Sequence, residues 1–131
     1  MTAGENVVLL VEDEPMLRRV VALTLRADGF RVLEAGDGSE ALATLQSEPN
    51  IDILLTDVRM PGMSGYELAD AALSARPGMP VMLMTGYSDE EMAPTIREAM
   101  IPLLRKPFNF ATLAESVRTA MQRDGRADRP R

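Results

Sequence analysis

The sequence predicts an α/β fold in which a five-stranded parallel sheet lies between two layers of helices, a (βα)5 three-layer sandwich. Two observations carry that reading. Short aliphatic runs recur five times and end in polar loops, and between them apolar residues return at helical spacing. The runs are apolar almost throughout instead of alternating, as strands buried on both faces of a parallel sheet require. At 131 residues the chain has room for one domain with an ordinary hydrophobic core.

Taken in order, Val7 to Val11 is the first run, rich in β-branched residues and too short for a helix. It stops at Glu12-Asp13-Glu14-Pro15, where acids and a first-turn proline suit a helix start. Leu17, Val20, Val21 and Leu25 then give that helix an apolar face, and Gly29 stops it. Arg31 to Ala35 is the second strand. Asp37-Gly38-Ser39-Glu40 opens a helix with Ala41, Leu42 and Leu45 on one face, ended by Pro49-Asn50.

Residues 51–56 form the third strand and feed Asp57 into the turn Val58-Arg59-Met60-Pro61-Gly62. Ser64-Gly65-Tyr66-Glu67 is a capping-box pattern opening a helix to about Ala75. Val81 to Thr85 is a central strand. Ser88-Asp89-Glu90-Glu91 repeats the capping signal for a fourth helix, with Pro94 in its first turns and Met100-Ile101-Pro102 blurring its end. Leu103 to Arg105 is a short fifth strand running into Lys106-Pro107, and Phe110, Leu113, Val117 and Met121 mark the apolar face of a last helix to about Arg123. Right-handed crossovers and the flavodoxin-like strand order 2-1-3-4-5 follow from this alternation. Residues 7–123 are the expected domain, residues 1–6 an N-terminal tail, and residues 124–131 a disordered tail or linker stub in which Arg alternates with Asp.

Composition removes several function classes. No apolar run approaches the ~20 residues of a membrane span, and no secretory signal opens the chain, so the expected address is cytoplasmic. There is no cysteine for a disulfide or thiolate site. There is also no histidine, so the commonest metal ligand and general base are missing. A net charge of −6 argues against direct nucleic-acid binding.

The chemistry must therefore rest on carboxylates. In an open parallel sheet ligands bind beyond the carboxyl ends of the strands. The predicted strands bring Glu12 and Asp13, Asp57, Thr85 and Lys106 to that edge. Taken singly, each has a plain explanation: helix-start acids, a turn aspartate, a strand-end threonine, a surface lysine. Together they are harder to explain so. Two carboxylates ~4 Å apart repel by roughly 4 kcal/mol at an effective dielectric near 20. A divalent cation relieves that repulsion, and a few hard oxygen ligands with room for water favour Mg²⁺ over zinc or an all-protein calcium cage. Lys106 and Thr85 suit an anion held beside the metal, and Asp57 suits a nucleophile that forms an aspartyl phosphate.

At these positions the sequence resembles the receiver domain of two-component response regulators. The motifs are Val-Glu-Asp-Glu at 11–14, Thr-Asp-Val-Arg-Met-Pro-Gly-Met-Ser-Gly at 56–65, Met-Thr-Gly-Tyr at 84–87 and Lys-Pro-Phe at 106–108. The resemblance implies a phosphorelay module, not a turnover enzyme. Asp57 would accept a phosphoryl group from a phosphohistidine on a sensor histidine kinase or phosphotransfer protein. Glu12, Asp13, Asp57 and the backbone carbonyl of Arg59 would hold Mg²⁺. Thr85 and Lys106 would bind the phosphoryl oxygens, with the Lys106-Pro107 bond cis. The partner surface would be the fourth helix, fifth strand and fifth helix, serving a downstream protein or a phosphorylation-dependent dimer. Where such receivers often carry an aromatic, three residues before the lysine, this chain has Leu103, so Tyr87 is the expected switch partner of Thr85. Arg59 and Tyr87, both bulky, flank the expected path of the hydrolytic water and predict a long-lived phosphoryl group.

Met1 and the tail favour a stand-alone, single-domain protein over a segment of a hybrid histidine kinase. An aspartyl-phosphate phosphohydrolase is the competing enzyme class, but such enzymes place a second acid where Arg59 stands. A flavin carrier fits less well, because the acidic loop after the first strand would repel a flavin phosphate.

Overall fold

The computed structural model describes residues 6–85, 101–107 and 109–123. Within them the chain runs β1 (Val7–Val11), α1 (Pro15–Ala27), β2 (Arg31–Ala35), α2 (Gly38–Ser47), β3 (Ile53–Asp57), α3 (Gly65–Ala75), β4 (Val81–Thr85) and β5 (Leu103–Arg105). A 3₁₀ turn, Phe110–Thr112, then leads into the last helix, α4 (Leu113–Arg123). The five strands form one sheet in the order β2-β1-β3-β4-β5, and every pairing is parallel, as the sequence predicts. The helix predicted after β4, with Pro94 in its first turns, lies outside the described residues, as do Tyr87, Met100, Phe108 and residues 1–5 and 124–131.

Period-two alternation along the strands divides the interior into two apolar layers. Leu9, Val11, Leu54, Val81 and Leu83 face α2 and α3, meeting Ala41, Leu45, Leu68, Ala69 and Ala72. Val8, Leu10, Ile53, Leu55, Met82 and Met84 face the other way, onto α1 and α4. Strands β1, β3 and β4 are buried along their whole length. That is why they read as unbroken apolar runs.

The first three helices start where the sequence signals them. Glu14 caps α1 by accepting from the Leu17 N–H at 2.7 Å, with Pro15 in the first turn. Asp37 caps α2 by accepting from Glu40. Ser64 and Glu67 close the predicted capping box, each side chain accepting the other's backbone N–H. Gly29, at φ 96°, follows α1 as the expected stop.

Three details differ from the sequence reading. The third strand starts at Ile53, two residues later than expected, because the Asp52 carboxylate accepts the Val7 N–H at 2.8 Å and uses the chain there as a cap on β1. Val20 is exposed, since the buried stripe of α1 runs through Val21, Ala22 and Leu25. Phe110 is exposed as well: the 3₁₀ turn breaks the helical phase before Leu113, so Ala114 and Ala120 join Leu113, Val117 and Met121 in the core.

The start of α3 is pressed against the end of β3. The Gly65 N–H donates to the Val58 carbonyl at 2.8 Å, and a Cβ on Gly65 would overlap the Asp57 carbonyl oxygen and stand 2.8 Å from the Val58 Cα. Both neighbours are backbone, so neither can yield without moving the strand end. Gly65→Ala is expected to lower the free energy of unfolding by about 1–3 kcal/mol, the range of forced overpacking. Urea titration of the two proteins checks this, and equal midpoints would contradict the close packing.

Candidate functional site

Parallel pairing delivers the predicted residues to one edge of the sheet. Val11 is in register with Thr56, Asp57 with Met84, and Thr85 with Arg105, so Glu12, Asp57, Thr85 and Lys106 emerge side by side at the carboxyl ends of β1, β3, β4 and β5. The Glu12 N–H is tied to the Ala35 carbonyl and the Lys106 N–H to that of Thr85, at 3.1 and 2.6 Å, which extends the ladder into the loops. Val58, just past Asp57, does the same with the Met84 carbonyl at 3.1 Å.

The Lys106 side chain closes the site. Its Nζ lies 3.0 Å from Asp57 Oδ1 and 3.2 Å from Glu12 Oε1. Glu12 is 1% exposed and Asp57 5%, so two carboxylates are buried against one ammonium group. Asp13 is exposed beside them, and Glu12, Asp13 and Asp57 each offer an oxygen within 4.8 Å of the others. Three carboxylates against one ammonium leave two negative charges when all are ionised. The donors are hard oxygens, few in number and open on the Asp13 side, which suits a small divalent cation.

The electrostatics follow from burial. Loss of solvent raises the Glu12 pKa from its ordinary value near 4.5 to about 7; the Glu14 N–H, bonded to Glu12 Oε2, works against the rise, and the nearby Asp57 charge adds to it. Asp57 is raised mainly by burial as well, with Lys106 pulling the other way and Asp13 adding to the rise. For Lys106, burial disfavours the ammonium, but its contacts with Asp57 and Glu12 outweigh that cost and leave its pKa above the usual value. Lys106 thus stays charged wherever the carboxylates titrate.

Thr85 is buried at the end of β4, and its backbone carbonyl holds Lys106. Arg59 is exposed on the loop two residues beyond Asp57. Leu103 is exposed at the head of β5, paired with Leu83, and the Lys106-Pro107 bond is cis. Tyr87 lies outside the described residues. One contact was not legible in the sequence: Arg18 of α1 donates from Nη1 to the Glu12 carbonyl at 2.7 Å. Arg18 and Arg19 are neighbours in α1, and only the approach of α1 to the β1 loop distinguishes the first from the second.

A family model described as "Response regulator receiver domain" matches residues 8–118. The chain belongs to that family. Among curated proteins it is similar to the probable transcriptional regulatory protein TcrX of Mycobacterium tuberculosis, at 33% identity over 119 residues covering 90% of this chain and 50% of that protein. Among solved structures it is similar to a CheY-like receiver domain protein from Methanospirillum hungatei JF-1, with a TM-score of 0.84, 27% identity, and 94% of this chain and 98% of the other covered. It is also similar to the receiver domain of the hybrid histidine kinase CckA, with a TM-score of 0.73, 37% identity, and 89% and 100% covered. The chain spans about half or less of the length of the curated relatives it matches. Receiver domains are signalling modules of two-component systems that bind Mg²⁺ at an acidic pocket, and this structure carries an acidic group, Glu12, Asp13 and Asp57, at the end of the sheet.

The raised Glu12 pKa has a consequence for stability. The folded protein holds a proton on Glu12 that the unfolded chain releases near pH 4.5, so between about pH 4.5 and 7 the folded state binds more protons and stability falls as pH rises. The loss attached to Glu12 is up to roughly 3 kcal/mol, at ~1.4 kcal/mol per pH unit. Lys106, charged throughout that window, leaves the slope unchanged. In metal-free buffer, denaturant unfolding at pH 5 and pH 7.5 is expected to show this decline, and Glu12→Gln to make it shallower, the raised Asp57 accounting for what remains. An identical pH slope in the variant would contradict the assignment.

Proposed function

We propose that this chain is a phosphoacceptor switch in a two-component phosphorelay, with Asp57 as the residue that takes the phosphoryl group. The observation that carries this reading is the Lys106 ammonium held 3.0 Å from the buried Asp57 carboxylate, with Glu12 and Asp13 beside it. An Asp57 oxygen forms the new O–P bond as the N–P bond of a donor phosphoimidazole breaks and its electron pair returns to the imidazole nitrogen. The donor is a sensor histidine kinase or a histidine phosphotransfer protein, because this chain contains no histidine of its own.

Burial strips water from Asp57 and makes its carboxylate a better nucleophile, while Lys106 keeps it oriented and takes up charge on the transferred oxygens. Glu12, Asp13, Asp57 and the Arg59 backbone carbonyl would hold Mg²⁺, which would supply positive charge to neutralise the phosphoryl oxygens. Thr85 turns its hydroxyl to the phosphoryl group, and Tyr87 takes the part that an aromatic at Leu103 would otherwise play in moving the signal to the surface. Arg59 and Tyr87 shield the phosphoryl group from water and lengthen its life. The domain spans residues 7–123, works in the cytoplasm as a monomer or a phosphorylation-dependent dimer, and controls a protein partner or passes the phosphate on, without acting on nucleic acid directly.

A second reading, in which the chain is the receiver segment of a hybrid histidine kinase, is favoured by the 37% identity to the CckA receiver, all of whose length is covered. Phosphoryl transfer to Asp57 is common to both.

Incubation with Mg²⁺ and acetyl phosphate, followed by intact mass, is expected to add one phosphoryl group to the wild type and none to Asp57→Asn. Lys106→Ala is expected to slow the reaction on the order of 100-fold, as loss of one charge-stabilising donor does. A mass gain that persists in Asp57→Asn, or none in the wild type, would overturn the proposal.

A further inference from the structure

We infer that Arg18 is a positioning residue for the divalent cation: its guanidinium joins Glu34 of β2 to the Glu12 backbone carbonyl and thereby sets where the Asp13 carboxylate stands. The inference rests on the proposed function, in which Glu12 and Asp13 hold Mg²⁺.

The loop from β1 to α1 is pinned at few points. Glu12 donates its N–H to Ala35 at 3.1 Å, and Glu14 donates to Glu12 Oε2 at 3.1 Å and caps α1 through Leu17. Between these anchors lies the Glu12–Asp13 peptide, whose carbonyl accepts from Arg18 Nη1 at 2.7 Å. Asp13 itself is exposed, and among the described residues no hydrogen bond or ion pair holds its carboxylate. Its position is therefore inherited from the backbone. Rotation of the Glu12–Asp13 peptide would swing the Asp13 side chain out of reach of Glu12 and Asp57, and the Arg18 bond opposes that rotation.

Arg18 is itself held. Its Nε reaches Glu34 Oε1 at 3.4 Å, while Arg26 and Arg19 approach Glu34 Oε2 at 3.1 and 3.7 Å. Glu34 thus gathers three guanidinium groups of one helix, and only Arg18 also reaches the loop. Glu34 lies one residue before Ala35, the acceptor of the Glu12 N–H, so the same strand end supports the loop from both sides. Gly36 supplies the room: a Cβ there would stand 3.2 Å from Arg18 Nη1. A planar fork can span the two acceptors in a fixed geometry, which the single ammonium on a flexible lysine stem does not do.

Outer-shell partners of this kind typically change metal affinity by about 10–100-fold. The test is calorimetric titration of the metal-free full chain with Mg²⁺ alone, beside its metal-free melting temperature. Arg18→Met is expected to weaken Mg²⁺ binding about tenfold, and Glu34→Gln to weaken it by a smaller factor. In an Asp13→Asn background Arg18→Met should add little, because both act through the same carboxylate; a general loss of packing would not show that dependence. If Arg18→Met does not fold, Gly36→Ala and Glu34→Gln carry the test, since each leaves Arg18 in place but crowded or unanchored. Unchanged affinity in the variants, or a full additional loss from Arg18→Met on top of Asp13→Asn, would overturn the inference. Absence of Mg²⁺ binding in the wild type would instead overturn the metal site of the proposed function.

Discussion

The Lys106 ammonium, bridging Asp57 and Glu12 at 3.0 and 3.2 Å, is the interaction on which this end of the molecule depends. Two carboxylates cannot be buried side by side without compensation. One lysine supplies part of it, and the rise of the Glu12 pKa to about 7 measures how incomplete it is. The site is therefore poised: it tolerates its own acids but gains from any further positive charge brought to the Asp13 side.

Everything else at that edge serves to hold Lys106 and the acids in reach of one another. Strand β5 is only three residues long and lies at the sheet edge, yet it ends with its backbone bonded to Thr85, which fixes where the lysine begins. Asp57 closes β3, with Val58 bonded across to Met84 and the start of α3 packed beneath through Gly65. Glu12 continues β1 with one more bond to β2. The acids sit on backbone that the ladder makes stiff, and only Asp13 depends on a side chain from elsewhere, Arg18, for its support.

The hydroxyl of this edge comes from a strand of its own. The residues of the acidic edge end or follow β1, β3 and β5, whereas Thr85 ends β4. Those groups are held by backbone bonds of the ladder, and Thr85, buried beside them, accepts the Lys106 N–H on its carbonyl. Leu103 is exposed and aliphatic, and it pairs with Leu83, two residues before that threonine.

The order of the described elements, the parallel sheet and the gathering of carboxylates at its edge were determined by the sequence alone. Strands buried on both faces must be apolar throughout, and caps such as Ser64 with Glu67 act over three residues, so both leave local marks. The same holds for the placing of Glu12, Asp57, Thr85 and Lys106 at strand ends. The exposure of Val20 and Phe110 was decided only by tertiary structure, because a helix face is defined by what packs on it and a single 3₁₀ turn shifts its phase. The 3.0 Å contact of Lys106 with Asp57 and the Arg18 clamp on Glu12 were decided there too. These join residues 49 and 6 positions apart through the geometry of neighbouring elements, and no local pattern in either segment encodes a distance across the sheet edge.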